Sequence, residues 1–333
     1  MKKILATLGV GALAAFALSA CSNALDTGTS ASSEKDNGAA SIPAACKGGN
    51  PYLAVLLPNQ TNPYYVAMKE GFEDEGSKNG FKVEVQIAND DDANQLAQAQ
   101  AMLGKNPCAL ALNPVKSEPA AAIVKAANDK GVPVFTVNIS ADPDALKAQG
   151  ASVIQYLGAD NAAGGAQMAE QIMKDLGADT AMEIGFVTEP DEVVVVERDE
   201  GFKKAIAKNP NAKVVAEVDG NVKLTDSLNV TSEMLQGNPG ISVIFASTGP
   251  AAQGAVEAVK ASGKDVKVYG FCASEMQTDD AYPACVAQEP EDYGRRTVQQ
   301  IKTYIGGAEV EENILRPLKL FTKGQTPAPG EVG

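Results

Sequence analysis

From residue 52 onward the chain alternates short apolar runs with stretches of helical periodicity, and no other feature constrains its fold as much. The first run, Tyr52-Leu53-Ala54-Val55-Leu56-Leu57, is continuously apolar, as a strand buried on both faces must be. A polar loop follows, and Pro63 opens a helix. Asn62 is placed to cap the free N–H groups there, and proline at the first helical position gives up no hydrogen bond. Tyr65, Met68 and Phe72 fall on one helical face, and Glu70, Glu73, Asp74 and Lys78 fall mostly on the other. The pattern recurs, predicting strands at 83–87, 109–112, 134–137 and 152–157, with helices at 93–104, 119–130 and 162–176. A second set has strands at 183–187, 214–218, 242–246, 267–271 and 285–287. Its helices lie near 198–208, 224–235, 250–262 and 293–305, and 317–322 reads as a closing strand. Strands separated by helices make parallel sheets with right-handed crossovers, so the class is α/β, with two doubly wound halves. Such sheets bind ligands beyond the carboxyl ends of their strands. The loops to inspect therefore begin at Pro58, Asn113, Asn138, Thr188, Ser247 and Cys272.

The amino terminus reads differently. Lys2 and Lys3 precede an apolar run over 4–18, and Leu18-Ser19-Ala20-Cys21 follows. A positive start, a short apolar core and small residues are the pattern of a secretory signal peptide, expected over 1–20. The run is shorter than the roughly 20 residues a membrane span needs. The Leu-Ser-Ala-Cys ending resembles a bacterial lipobox, which makes Cys21 the expected lipid anchor and places the mature protein outside the cytoplasm. Small polar residues dominate 22–45, so a flexible tether is expected over 21–49.

The formal charge is −14 and the chain has no histidine. An acidic surface disfavours nucleic acid or an anionic membrane as the main partner. Lack of histidine removes the usual general base and the commonest metal ligand. The sequence also has no phosphate-binding Gly-x-x-x-x-Gly-Lys loop and no Gly-x-Ser-x-Gly elbow, and no enzyme, metal or cofactor is expected. With Cys21 assigned to lipid, Cys46, Cys108, Cys272 and Cys285 remain. In an exported protein these suggest disulfides; four cysteines allow three connectivities, and buried free thiols are the alternative. Cys46–Cys108 is favoured because a 2-1-3 strand order sets those two strand starts side by side. Cys272–Cys285, which needs a bent loop, is the second pair to test.

Several segments resemble one family. Asn62-Pro63-Tyr64-Tyr65 with Gly71-Phe72 is similar to the first loop and helix of ribose-type periplasmic binding proteins. So are Asn113-Pro114, Gly131-Val132-Pro133-Val134, Asp160-Asn161 with Gly164-Gly165, and Glu197-Arg198-Asp199-Glu200-Gly201-Phe202. Tyr269-Gly270-Phe271 and Val286-Ala287-Gln288-Glu289-Pro290 continue the series, which runs in order over about 52–323. The resemblance implies a class I solute-binding protein of an ABC importer, sugar-binding branch. Two lobes joined by a three-strand hinge would close on a small molecule and present it to a membrane permease, the protein acting as a monomer. The implied lobes are 50–158 with 289–316, and 159–288 with 317–325, leaving 326–333 as a tail. A sensory receptor of the same fold, or an importer receptor for a non-sugar ligand, is the alternative.

The implied ligand residues are Asn62, Tyr64, Tyr65, Asn138, Thr248, Cys272 and Gln288. Here the chain departs from the family. Asn138-Ile139 stands where ribose-type relatives carry Asp-Arg, Val196 replaces an arginine, Thr248 an asparagine and Cys272 an aspartate. Charged groups that fork onto sugar hydroxyls are largely gone on this reading, which points to a less hydroxylated or more apolar ligand. Glu189 and Asp191, in a loop facing the cleft, either recognise a cation or amine or are solvated loop carboxylates. Asp90-Asp91-Asp92 lacks the spacing of a calcium loop and reads as charge complementing a helix dipole. The apolar Val193–196 run either walls the cleft or begins a helix.

Overall fold

The computed structural model describes residues 42–333; the expected signal peptide, Cys21 and most of the expected tether lie outside the described residues. In chain order the elements are β1 (Tyr52–Leu57), α1 (Pro63–Lys78), β2 (Lys82–Ile87), α2 (Asp92–Leu103), β3 (Ala109–Leu112), α3 (Ala120–Asn128), β4 (Val134–Val137), α4 (Pro143–Gln149) and β5 (Gln155–Ala159). Then come α5 (Asn161–Leu176), β6 (Met182–Thr188), α6 (Val193–Ile206), β7 (Ala212–Asp219), α7 (Leu224–Gly237), β8 (Ile241–Ala246), α8 (Gly249–Ser262) and β9 (Lys267–Phe271). The described chain closes with β10 (Ala284–Ala287), α9 (Pro290–Ile305), β11 (Asn313–Arg316) and β12 (Lys319–Thr322).

These strands form two six-stranded sheets with the same winding, β2-β1-β3-β4-β5-β11 and β7-β6-β8-β9-β10-β12. All pairings in the first are parallel, and in the second only β12 runs antiparallel, against β10. Each sheet with its helices is one α/β lobe. The chain passes between the sheets after β5, after β10 and after β11. The continuous apolar run of β1 has its predicted cause: Leu53, Val55 and Leu57 pack under α1 and α9, while Ala54 and Leu56 pack under α2 and α3. In the second lobe α5 and α6 cover one sheet face, and α7 and α8 the other.

Several local expectations shift. Helix α6 begins at Val193, five residues before the predicted start, so the valine run is helical. Strand β5 lies over 155–159 rather than 152–157. Helix α4 and strand β11 were not foreseen; α4 has no buried residue, and β11 alternates exposed with half-buried positions, so neither carries the apolar signature used above. Part of the expected tether is also ordered. Ala44–Lys47 form a 3-10 turn, and Cys46 is bonded to Cys108 at the entry to β3, which fixes that turn against the first sheet. Cys272 and Cys285 form the second disulfide. Residues 326–333, expected as a tail, return to the protein: Val332 bridges Gln288 and Gly333 packs on Cys272, with both residues buried.

Candidate functional site

The carboxyl ends of the two sheets face each other, and their loops meet over a cavity of ≈ 20 Å³, space for about one water. Its walls are Asn62, Tyr64, Tyr65, Asn138 and Ile139 from the first lobe, and Glu192, Arg198, Val222 and Thr248 from the second. Gln288, where the chain crosses between sheets, and Gly333 complete it. Six of the seven ligand candidates thus come together. Cys272 does not reach this cavity. It is fully buried in its disulfide and lines a neighbouring cleft of ≈ 330 Å³ that opens to solvent between the α1 and α8 ends.

The first-lobe wall is tied together by several hydrogen bonds. Asn62 caps α1 by accepting from the Tyr64 N–H at 3.0 Å, and its own N–H donates to Asn59 Oδ1 at 2.9 Å. Asn59 Nδ2 donates to Asp90 Oδ1 at 2.7 Å. The Tyr64 hydroxyl donates to Gln288 Oε1 at 3.1 Å, tying the wall to the crossing. The rings of Tyr64 and Tyr65 meet edge to face with centroids 5.5 Å apart. Asn138 follows β4 with φ +62°, a left-handed conformation that asparagine tolerates better than most side chains. The Tyr156 hydroxyl donates to its carbonyl at 2.8 Å and holds it there. Thr248 caps α8 by accepting from the Ala251 N–H.

The second-lobe wall carries charge that the sequence reading did not place. Arg198 is 3 % exposed. Its Nε donates to Asn161 Oδ1 at 2.9 Å, its Nη1 to the Ser247 carbonyl at 2.8 Å, and its guanidinium lies 3.9 Å from the centre of the Phe271 ring. Its place depends on a close helix crossing: a Cβ at Gly165 of α5 would sit 1.8 Å from the Arg198 carbonyl oxygen, so only glycine lets α5 and α6 approach. The expectation that charge had largely left the cleft is therefore corrected. An arginine is present, two residues after Val196 in the same helix, within the Glu197-Arg198 motif. Glu192, at the head of α6, was missed because a loop carboxylate in a single sequence reads as solvated. It is 6 % exposed, and burial, then repulsion from Glu189, pushes its pKa up to about 8 against the pull of Arg198. Burial likewise pushes Glu189 up to about 7, with Asp219 adding to it.

The lobes also touch beside the cavity. The Ser117 N–H donates to the Asp191 carbonyl at 3.1 Å, Ser117 Oγ accepts from the Val193 N–H at 3.0 Å, and Lys116 pairs with the Asp191 carboxylate. Ile139 packs on Val194 and Val195, so the valine run both begins α6 and closes on the first lobe. Val222, with φ +49°, holds a strained backbone for a β-branched residue at the cavity edge. Asp90-Asp91-Asp92 heads α2, where Asp91 accepts from the Asn94 N–H. Among the described residues no three Cys, Asp or Glu side chains are grouped to hold a metal ion, and no helix is long and apolar enough to cross a membrane.

Comparison with known proteins agrees with this architecture. Residues 53–309 match the periplasmic binding protein domain family. The chain is 32% identical over 276 residues to the ribose import binding protein of Bacillus subtilis, covering 81% of this chain and 87% of that one. It is 30% identical over 259 residues to the D-allose-binding periplasmic protein of Escherichia coli, covering 72% and 80%. Among solved structures, a solute-binding protein from Actinobacillus succinogenes with bound D-allose superposes with a TM-score of 0.73 at 24% identity, over 82% of this chain and 98% of that one. One from Mycobacterium smegmatis with bound glycerol gives 0.75 at 23% identity, over 83% and 95%; these two show the shared fold. The chain belongs to the periplasmic binding protein family. Within it, the chain is a class I solute-binding protein of the sugar-binding branch, whose relatives named here are binding proteins rather than enzymes.

Proposed function

We propose that the protein captures a small polyhydroxylated molecule, a sugar or a close analogue, between its lobes and delivers it to the permease of an ABC importer without transforming it. The observation that carries this reading is the interlobe cavity walled by both lobes, with Asn62, Asn138, Thr248 and Gln288 offering donors and acceptors and the tyrosine pair offering ring surface. A sugar ring needs more room than the ≈ 20 Å³ present, so entry requires the lobes to part and closure follows on the ligand. Contacts available only after closure favour the shut form, which is how occupancy becomes a shape a permease distinguishes. Lobe limits at about 158/159, 288/289 and 316/317 put the hinge at the three passages between sheets. Export and lipidation at Cys21 complete the reading, as a monomer working at the membrane surface without a metal or cofactor.

The test is calorimetric titration with ribose, allose, arabinose and myo-inositol, alongside thermal denaturation. Ligand at a hundred times its dissociation constant adds about 2.7 kcal/mol of stability. Tyr64→Ala and Asn138→Ala are expected to weaken the best of these at least tenfold while the fold persists, tenfold being about 1.4 kcal/mol. Unchanged affinity in both variants would move the site elsewhere. Cys21→Ser should shift the protein from the membrane to the soluble fraction.

A further inference from the structure

Glu192 is in an unusual position for a carboxylate. It occupies the N-cap of α6 yet makes no capping hydrogen bond. The first N–H of that helix is satisfied from the opposite lobe, by Ser117 Oγ. No side-chain hydrogen bond and no Lys or Arg nitrogen within 4 Å neutralises Glu192 among the described residues, although it is 94 % buried and lines both the central cavity and the adjoining ≈ 70 Å³ pocket. A buried carboxylate without a partner is strongly disfavoured.

Its neighbours sharpen the imbalance. Glu189 and Asp90 line the same pocket, Glu189 accepting from the Asp191 N–H alone among the described residues and Asp90 held by Asn59 Nδ2. The cations nearby are committed or turned away: Lys116 pairs with Asp191, and Arg198 is bound to Asn161, the Ser247 carbonyl and the Phe271 ring. Lys223 lines the pocket rim, exposed and without an ion-pair partner among the described residues. Tyr65 shares the wall, adding an aromatic surface of the kind that favours organic cations. The acidic side chains are too dispersed to hold a metal ion. Carboxyl groups beside an aromatic neighbour match a protonated amine, which donates three hydrogen bonds and offsets the charge of one ionised carboxylate.

We infer that the cleft takes a ligand bearing a protonated amine, such as an amino sugar or amino polyol, with Glu192 as its principal anion and Glu189, Asp90 and Tyr65 around it. This rests on the interlobe cleft being the binding site. The burial that keeps Glu192 protonated in the empty cleft is reversed when the ammonium enters, so binding is coupled to release of a proton to solvent. The net charge of −14 adds a general attraction for such ligands.

The experiment titrates the full chain with D-glucosamine and D-galactosamine, against D-glucose, D-galactose, N-acetyl-D-glucosamine, ribose, allose and calcium chloride. Calorimetry is repeated at pH 6.5 in buffers of different ionisation enthalpy. An amino sugar should bind at least tenfold tighter than its neutral counterpart and release a proton. Glu192→Gln should abolish both the preference and the proton release while retaining the wild-type circular dichroism spectrum, and Glu192→Asp should restore part of the preference. Neutral sugars binding as tightly as the amines would overturn the inference and leave the sugar reading standing. A preference that survives in Glu192→Gln would overturn the assignment to Glu192. Calcium binding with the amines silent would overturn the amine in favour of a metal. Silence across every probe would overturn both the inference and the site on which it rests.

Discussion

The two walls of the cleft are built on opposite terms. Around the central cavity the first-lobe wall is uncharged and held by its neighbours: Asn62 caps its own helix, Tyr64 is bonded to Gln288, and the Asn138 carbonyl is held by Tyr156. The second-lobe wall holds a buried guanidinium and a buried carboxylate that do not pair with each other. The first wall is therefore preorganised and adds little strain, whereas the second stores electrostatic imbalance that a ligand relieves. A ligand that binds the first wall alone gains contact area; one that also satisfies the second gains selectivity, because a mismatched partner leaves a buried charge exposed to no compensating group.

The largest test of that contrast is Arg198→Met. It leaves Asn161 Oδ1 and the Ser247 carbonyl buried without their donor, each unmade bond costing about 1–3 kcal/mol, so a loss of about 4 kcal/mol in urea unfolding is expected. A loss below about 1 kcal/mol would show that water replaces the guanidinium and that the second wall is not tightly built. Next is the Cys272→Ala/Cys285→Ala double variant. The bond spans a sequence separation of 13 residues, so the loop-entropy account gives about 3 kcal/mol. Because Cys272 also carries Gly333 at the cavity edge, ligand affinity should fall as well. The matching removal of Cys46–Cys108, remote from the cavity, should lower stability and leave affinity unchanged.

The third test is pH. The folded-state pKa of Glu192 lies above its unfolded value, so the protonated form is favoured in the fold. Its contribution is complete below about pH 4.5 and is lost as pH rises through about 8. Between pH 6 and 9 the empty protein should lose about 3 kcal/mol through Glu192, with Glu189 contributing in the same direction only up to about pH 7 and Asp90, Asp191, Lys116 and Arg198 setting the local field. Glu192→Gln should flatten most of that slope in thermal scans; an unchanged slope would place the titration elsewhere. The smallest effect is expected from Asn62→Ala on the neutral wall, about 1 kcal/mol for a lost helix cap, read from the denaturant midpoint. Equality of Asn62→Ala and Arg198→Met would remove the contrast between the walls.

The central strands were legible because a strand buried on both faces has to be apolar, as β1 and β3 are throughout and β8 and β9 are over most of their length. The short exposed elements α4 and β11 were not, since nothing in their burial distinguishes them from loop. Six of the seven ligand candidates implied by the resemblance line one cavity, because topology brings the loops at the carboxyl ends of the strands together. Arg198 and Glu192 were not found by the same argument. Arg198 lies one turn inside a helix, and its inward aim depends on the Gly165 crossing between α5 and α6. Glu192 lies in a polar loop, and only the apposed first lobe, through Ser117 and Ile139, removes it from water.

The sequence by itself determined the alternation of strand and helix, the two sheets and the ends at which they bind, since periodicity is set by neighbours in the chain. Tertiary structure decided which charges are buried, which lobe caps the head of α6 and how Cys272 is diverted from the cavity into a disulfide. Desolvation and charge pairing depend on groups far apart in sequence meeting in space, and no local pattern encodes that meeting.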